Sequence, residues 1–332
     1  MFYRLLRYKM VVLNFILAMV GVVLVVYVVY SARFKETSAR FESESLNIST
    51  RLQHFFQSSS LVLKALRPNF SGDRIPSFDD FISLTEPLIA DTPDIKALEW
   101  IPRVKQSEVQ SYVSAMNQQG FVGFDITERN DAGQLVGKSV RGEYYPVYYV
   151  APFLGNEPAH GFDLASNNTR KLALKEAGKS GNNTASSRIT LVQSQGDSFG
   201  FLIFCPVYSD LGGGIVPVSD KEEMLKGFML GVFDFKLIIE RAMVGLNNQN
   251  ILIQLVDLSA KAGSQRLYAS ANISNQDNDD DFFSFFNDRV EGFTNNQDFS
   301  FLGRHWRLKT VATSDYNGGF FYKTDKYKST YS

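Results

Sequence analysis

The stretch FGFLIFCPVY, residues 199–208, decides the fold, because a short apolar run bounded by polar and glycine residues is typical of a buried strand. Two further strand-like runs flank it, RITLVQS at residues 188–194 and GFMLGVFDF at residues 227–235. Upstream, apolar periodicity predicts three helices: residues 77–90, helical until Pro87 intervenes; residues 105–120; and residues 166–180, with Ser166 as the N-cap and Gly181 just past the end. The runs at residues 95–104, 121–126 and 144–152 are predicted strands. Helices followed by several consecutive strands predict an α+β fold whose antiparallel sheet has one face covered.

An uncharged apolar stretch at residues 10–30, MVVLNFILAMVGVVLVVYVVY, meets the requirement of about 20 residues for a membrane-spanning helix. It exceeds the roughly 7–15 apolar residues of a cleaved signal peptide. Three basic residues precede it, Arg4, Arg7 and Lys9. The positive-inside tendency therefore predicts that residues 1–9 are cytoplasmic. We expect a single-pass anchor in the inner or plasma membrane, with residues 31–332 in the periplasm or outside the cell.

After this span, apolar residues recur every seven positions, at Phe34, Phe41, Ile48, Phe55 and Val62. A sustained seven-residue period is typical of a helix that packs along a partner. The pattern predicts that the membrane helix continues into a stalk helix over residues 31–68. Two interpretations stay open: the stripe is the seam of a homodimer, or it packs against the chain's own domains.

Beyond the stalk, the element pattern predicts two modules, residues 69–235 and residues 236–332. The second begins with the helical segment KLIIERAMVG and continues with four strand-like runs, NILIQLVDL, QRLYAS, DFSFLG and HWRLKTVAT. The segment that joins the modules is too short for them to move independently.

Charge and residue counts exclude several functions. The net charge of -1 provides no basic surface for nucleic acid. The single cysteine, Cys205, excludes an intramolecular disulfide and a cysteine-based zinc cluster. His54, His160 and His305 are far apart and form no His-x-x-x-His pair. We therefore predict no metal site, no cofactor and no catalytic reaction for this chain.

Seven short blocks carry a family resemblance. They are ALEWIPRV (97–104), GFDITE (123–128), YYPVYY (144–149), GFDLASNNTR (161–170), RITLVQ (188–193), GFLIFCPVY (200–208) and GFMLGVFDF (227–235). Their order resembles that of the CHASE domain, the extracellular sensor of many bacterial and plant histidine kinases and nucleotide cyclases. The resemblance implies a long N-terminal helix and two tandem PAS-like modules, of which the membrane-distal one holds a small-molecule ligand.

The same resemblance implies a role for this chain. It would be the exported, ligand-sensing region of a membrane-anchored receptor, in a family where a kinase or cyclase usually follows. The alternative is an exported scaffold whose modules only contact other proteins. An enclosed pocket in the distal module favours the sensor, and a filled core favours the scaffold.

Asp163 is the first candidate ligand residue, since a similarly placed aspartate hydrogen-bonds the ligand in cytokinin-binding relatives. The alternative is that Asp163 caps the helix that follows it. The resemblance places Ala185 where relatives contact the ligand through the backbone. The remaining candidates would close the pocket: Trp100, Tyr148, Leu191, Phe201, Phe204 and Gly231.

Overall fold

The structure, a computed structural model, describes residues 2–92, 94–190, 199–209, 220–246, 250–270, 293–313 and 315–316. The helices in these residues are α1 (Phe2–Leu66), α2 (Pro68–Ser71), α3 (Phe78–Asp91), α4 (Val109–Gln118), α5 (Asn168–Ser180), α6 (Lys221–Met224) and α7 (Phe235–Ala242). The first ten strands are β1 (Ile95–Pro102), β2 (Val104–Lys105), β3 (Thr127–Arg129), β4 (Leu135–Gly137), β5 (Glu143–Tyr144), β6 (Tyr149–Ala151), β7 (Thr184–Ala185), β8 (Ile189–Thr190), β9 (Phe199–Tyr208) and β10 (Leu225–Asp234). The last four are β11 (Ile251–Asp257), β12 (Arg266–Ala269), β13 (Thr294–Phe301) and β14 (Arg304–Ala312).

Helix α1 is unbroken from Phe2 to Leu66, which makes it about 97 Å long at 1.5 Å per residue. The apolar side chains of residues 10–30 are exposed along it. Within the described chain, α1 carries the one candidate segment long and apolar enough to cross a membrane. The structure therefore confirms a long N-terminal apolar helix that continues into the stalk.

The first sheet has the strand order β6-β1-β10-β9-β7, and β8 also pairs with β9. Every pairing in it is antiparallel. Counted along the chain, the order is 2-1-5-4-3, which is that of a PAS-like sheet. The predicted α+β class is confirmed, with β9 and β10 at the positions of the two longest apolar runs.

A second antiparallel sheet follows, with the order β12-β11-β14-β13. Helix α7 precedes it. Asp234 caps the start of this helix, since its side chain accepts a hydrogen bond from the backbone N–H of Lys236. This helix-then-sheet arrangement agrees with the predicted second PAS-like module.

Alternation along the central strands sends side chains to two faces of the first sheet. In β1, Leu98 and Trp100 point toward the stalk, while Ala97 and Ile101 point toward α5. We call these the stalk face and the α5 face. Both are buried, which explains why the central strands read as continuous apolar runs rather than as alternating ones.

The stalk lies close to its sheet because of Gly231 in β10. A side chain at this position would meet the ring of Phe233 at 2.6 Å and Leu63 of α1 at 3.4 Å. Glycine therefore lets the helix approach the sheet closely.

Most of the seven-residue stripe packs against the chain's own domains, which is the second of the two interpretations. Phe41 and Ile48 are buried within the chain itself, and Phe55 and Val62 pack on the same core. Phe34 lies 5.2 Å from the ring of Phe293. Four of the five stripe residues therefore contact the chain's own core, while Phe34 stays 44% exposed. A homodimer through the stalk stays a prediction.

Two predicted strands are corrected. Residues 121–126 form no strand, because Gly123 has a φ of 87° and its N–H donates to the side chain of Asn117, which turns the backbone. Residues 144–152 divide into β5 and β6. Between them the N–H of Tyr145 donates to the Asp163 carboxylate instead of to a neighbouring strand.

Helix boundaries also differ from the prediction. Proline at position 87 does not end α3, which continues to Asp91. The cap of α5 is Asn167 rather than Ser166, since its side chain accepts from the N–H groups of Thr169 and Arg170. Gly181 ends this helix in the left-handed conformation, as predicted.

Candidate ligand-binding cavity

A cavity of about 110 Å³ lies on the α5 face of the first sheet. Its floor comes from strands of the sheet, and its sides come from α5 and the segment that precedes it. The apolar part of the described lining consists of Val147, Pro158, Ala159, Phe162, Leu164, Ile189, Leu202 and Val232. The rest of the described lining is polar, with the neutral Asn156 and Thr190 and four charged residues: Lys96, Glu99, Arg129 and Arg170.

Glu99 reaches the cavity because of the period of β1. Its neighbours Leu98 and Trp100 pack on the stalk face, so the side chain between them points to the opposite face. Only 5% of Glu99 is exposed. A carboxyl group is thus placed in the middle of a central strand, where apolar residues are the rule.

No protein group in the described residues holds the Glu99 carboxyl by a hydrogen bond or an ion pair. Burial raises the pKa of Glu99 to about 8, and the positive charge of Arg170 opposes this rise. Removal of the carboxyl from water disfavours its charged form, and the charge of Arg170 compensates only in part.

Arg170 enters the cavity from the first turn of α5. Its guanidinium lies over the ring of Phe162, 5.4 Å from the centroid, a geometry that favours a cation on an aromatic face. Burial lowers the pKa of Arg170, while Glu99 opposes the shift. Lys96 and Arg129 add two more cations to the lining. In the described part of the lining, cations therefore outnumber carboxyl groups three to one.

Asp163 stands beside the cavity but is not part of its lining. Its Oδ1 accepts hydrogen bonds from the backbone N–H of Tyr145 at 2.8 Å and of Ala165 at 3.1 Å. Its Oδ2 forms an ion pair with Arg141 Nη2 at 2.9 Å. Asp163 thereby caps the short 3-10 helix Leu164–Ser166. This geometry matches the capping alternative, through Ala165 rather than through α5.

Burial is the largest influence on the pKa of Asp163, and it raises that pKa. The hydrogen bonds from the two backbone N–H groups and the positive charge of Arg141 oppose the rise. Arg141 also contacts Glu128. The carboxylate ties the β5–β6 connection to the segment before α5, and both of these segments contribute residues to the cavity wall.

Most of the other predicted ligand residues lie on the stalk face. Trp100, Tyr148 and Phe201 belong to the core that includes α1, and Gly231 faces Leu63. Phe204 lies on the α5 face, with its ring 5.8 Å from that of Phe228.

The last two predicted residues lie elsewhere. The N–H of Ala185 donates to the carbonyl of Leu302 in the second module, and Ala185 lines a separate cleft between α5 and Arg304. Leu191 lies outside the described residues. None of the seven described candidates lines the cavity at Glu99. Their role as ligand contacts stays a prediction.

The charged lining residues were missed in the sequence, although one signal was present. In IKALEWIP, residues 95–102, Glu99 is the one acidic residue within an apolar run. A charge at an inward position of a buried strand indicates function, because burial of an unpaired charge is costly. No comparable local signal marked Arg170, since an arginine in the first turn of a helix is usually exposed.

The first sheet is PAS-like and carries a cavity beneath α5. A model described as the CHASE domain matches residues 76–268, which is more than half of the chain. The chain belongs to the CHASE domain family, the extracellular sensors of membrane receptors. The predicted membership is confirmed.

Several solved structures match the chain, and no curated protein matches it. An extracellular ligand binding receptor from Desulfohalobium retbaense has 13% identity and a TM-score of 0.46 over 80% of this chain. This chain spans only 39% of that receptor. The ligand binding domain of the Pseudomonas aeruginosa amino acid chemoreceptor PctC, in complex with GABA, has 10% identity and a TM-score of 0.48, over 83% of this chain and 99% of that domain. The periplasmic sensory domain of the Campylobacter jejuni chemoreceptor Tlp1 has 11% identity and a TM-score of 0.45, over 80% and 90%.

Proposed function

We propose that this chain is the exported sensor of a membrane-anchored receptor and binds a small polar molecule in the cavity at Glu99. The observation that carries the proposal is the Glu99 carboxyl, which is buried and held by no described protein group. A buried carboxyl without a partner costs free energy. A ligand that hydrogen-bonds it recovers that free energy, so the site favours occupancy.

The anchor in this proposal is residues 10–30, with residues 31–332 in the periplasm or outside the cell. Residues 69–235 form the membrane-distal ligand module, and residues 236–332 form the membrane-proximal one. No catalytic step is assigned to the chain. In a longer gene product, a kinase or cyclase would supply the output.

The route to the membrane is the sheet itself. β1 and β10 line the cavity with Glu99 and Val232, and on the opposite face β10 meets Leu63 of α1 at Gly231. A ligand that shifts these strands shifts the stalk, because closely packed interiors transmit strain. Helix displacements of about 1–2 Å are sufficient for signalling across such interfaces.

Replacement of Glu99 with leucine tests the binding site. We expect Glu99→Leu to raise the free energy of unfolding by about 1–4 kcal/mol at pH 7, because an apolar side chain of similar size removes the buried carboxyl. The same change should abolish the thermal shift that a bound metabolite produces in the wild-type protein. A screen of small polar metabolites against the full chain in detergent identifies that ligand, and exposed Glu42→Gln is the control.

The pH dependence of stability supplies a second readout. The folded-state pKa of Glu99, about 8, lies above its ordinary value of 4.5. Between these values the folded protein binds more protons than the unfolded chain, so the free energy of unfolding falls as pH rises. Glu99→Leu should remove this part of the fall. Reduced stability of the variant together with unchanged ligand shifts would assign Glu99 a structural role and reject the site.

We also propose that two copies associate along the outer face of α1, opposite the sheets. Leu46 and Leu61 are 53% and 63% exposed there. Cysteine at Leu46 in a Cys205→Ala background should form an interchain disulfide in membranes, which requires Cα atoms closer than ~7 Å. Leu172, an equally exposed leucine on α5, is the matched control position. Equal cross-linking at both positions, or none at Leu46, argues against this dimer.

A further inference from the structure

We propose, on the basis of the ligand site proposed above, that the ligand is a small organic acid. Its carboxylate lies against the cations of the cavity, and a second acceptor group at its other end meets Glu99. The lining of the cavity carries this assignment in three steps: its size, its charge and its hydrogen-bonding groups.

Size limits the ligand first. One water needs about 10–15 Å³ by the same measure, so 110 Å³ admits roughly seven to eleven water-sized positions. A molecule with on the order of ten non-hydrogen atoms fills such a space. The walls beside the charged groups are apolar, with Phe162, Leu202 and Val232 among them. A short hydrocarbon segment between two polar ends fits this lining.

Charge selects an anion. Lys96 comes from β1, Arg129 from β3 and Arg170 from α5, and Glu99 is the one acidic residue in the described lining. With Glu99 ionised, the lining carries a net charge of about +2, and with Glu99 protonated about +3. A cationic ligand would add to this positive field, whereas a carboxylate neutralises part of it and accepts the forked N–H groups of arginine.

Glu99 selects the other end of the ligand. Because burial raises the pKa of Glu99 to about 8, the carboxyl is mostly protonated at pH 7 and offers an O–H donor. The partner that suits a donor is an acceptor, such as a second carboxylate, an oxo group or a hydroxyl. An anion bound beside Glu99 stabilises its protonated form further, which links ligand binding to proton uptake.

A matched series of four-carbon probes tests the ligand class on the full chain in detergent: succinate, 4-aminobutyrate and 1,4-diaminobutane, with inorganic phosphate as a second oxyanion. We expect succinate to bind at least tenfold more tightly than 4-aminobutyrate, and 1,4-diaminobutane not to bind. Arg170→Gln should weaken succinate by about 10–100-fold. The control Lys175→Gln, an exposed position on the same helix, should change the affinity less than twofold.

A pH titration separates the role of Glu99 from general charge attraction. The other charged groups in the described lining are Lys96 on the same strand as Glu99, Arg129 on β3 and Arg170 on α5. Between pH 7 and pH 9, succinate affinity should fall, by at most about tenfold per pH unit, because the free site loses the Glu99 proton that the complex keeps. Glu99→Gln, which keeps an N–H donor, should retain succinate binding and lose the pH dependence.

The outcomes separate the ligand class from the site. The organic-acid assignment is overturned if 1,4-diaminobutane, 4-aminobutyrate or phosphate binds most tightly. It is also overturned if no probe binds. A different metabolite whose thermal shift disappears in Glu99→Leu would then still support the cavity as the sensing site. If metabolites bind and neither Glu99 nor Arg170 affects them, both proposals fail.

Discussion

Replacement of Asp163 with alanine is expected to lower the free energy of unfolding by about 3–5 kcal/mol. The change removes the acceptor of two buried backbone N–H groups, those of Tyr145 and Ala165, and each unsatisfied group costs roughly 1–3 kcal/mol. It also removes the ion pair with Arg141. Chemical denaturation of the full chain in detergent measures the loss.

The matched variant is Asp163→Asn. Because both N–H groups donate to the same oxygen, Oδ1, an asparagine carbonyl can accept both bonds and loses only the ion pair. We expect Asn to cost less than half as much as Ala. If Asp163→Ala keeps wild-type stability but loses metabolite binding, Asp163 is a ligand contact and the capping role is wrong.

Replacement of Phe56 with alanine should cost a further large amount, about 3–5 kcal/mol, which is typical of a fully buried phenylalanine. Its ring lies 5.8 Å from that of Phe201 in the first sheet. It also lies 4.9 Å from Phe301 and 4.8 Å from Trp306 in the second sheet. A cavity at this point removes packing between α1 and both sheets at once.

Two readouts test this arrangement. The unfolding midpoint of Phe56→Ala should fall. Hydrogen exchange should become faster in β9 and in β14 together, because both modules lose packing. Exposed Leu61→Ala on the outer face of the same helix should change stability by less than about 0.5 kcal/mol. A small effect of Phe56→Ala in monomeric protein would mean that the stripe does not pack on the chain's own sheets.

Much of the fold could be predicted because its signals are local. The apolar run of residues 199–208 corresponds to β9 residue for residue, and Gly181 ends α5 where its freedom to adopt a positive φ predicts a helix end. The uncharged segment at residues 10–30 is recognised from composition alone. The predicted strand boundaries were wrong where a side chain interrupts the hydrogen bonds between strands. The Asp163 carboxylate does this at Tyr145, whose backbone N–H donates to it.

The candidate site could not be predicted in the same way. Glu99 and Arg170 lie 71 positions apart and line one cavity only because β1 and α5 meet on one face of the sheet. Asp163, the most conspicuous acid in the sequence, is occupied by backbone N–H groups from a segment 18 residues earlier and from its own turn. From the sequence we expected a carboxylate to bind the ligand. The sequence did not indicate whether Asp163 or Glu99 lacks a partner among the described protein groups.

The sequence by itself determined the membrane-type helix, the α+β order of elements, the membership of the CHASE family and the existence of an apolar stripe along the stalk. Only the tertiary structure decided what covers that stripe, which face of the sheet carries the cavity and which charged groups meet there. The physical reason is that hydrophobic periodicity specifies which side chains share a face. The partner that covers the face, and hence the burial and pKa of each charge on it, depends on contacts between distant segments.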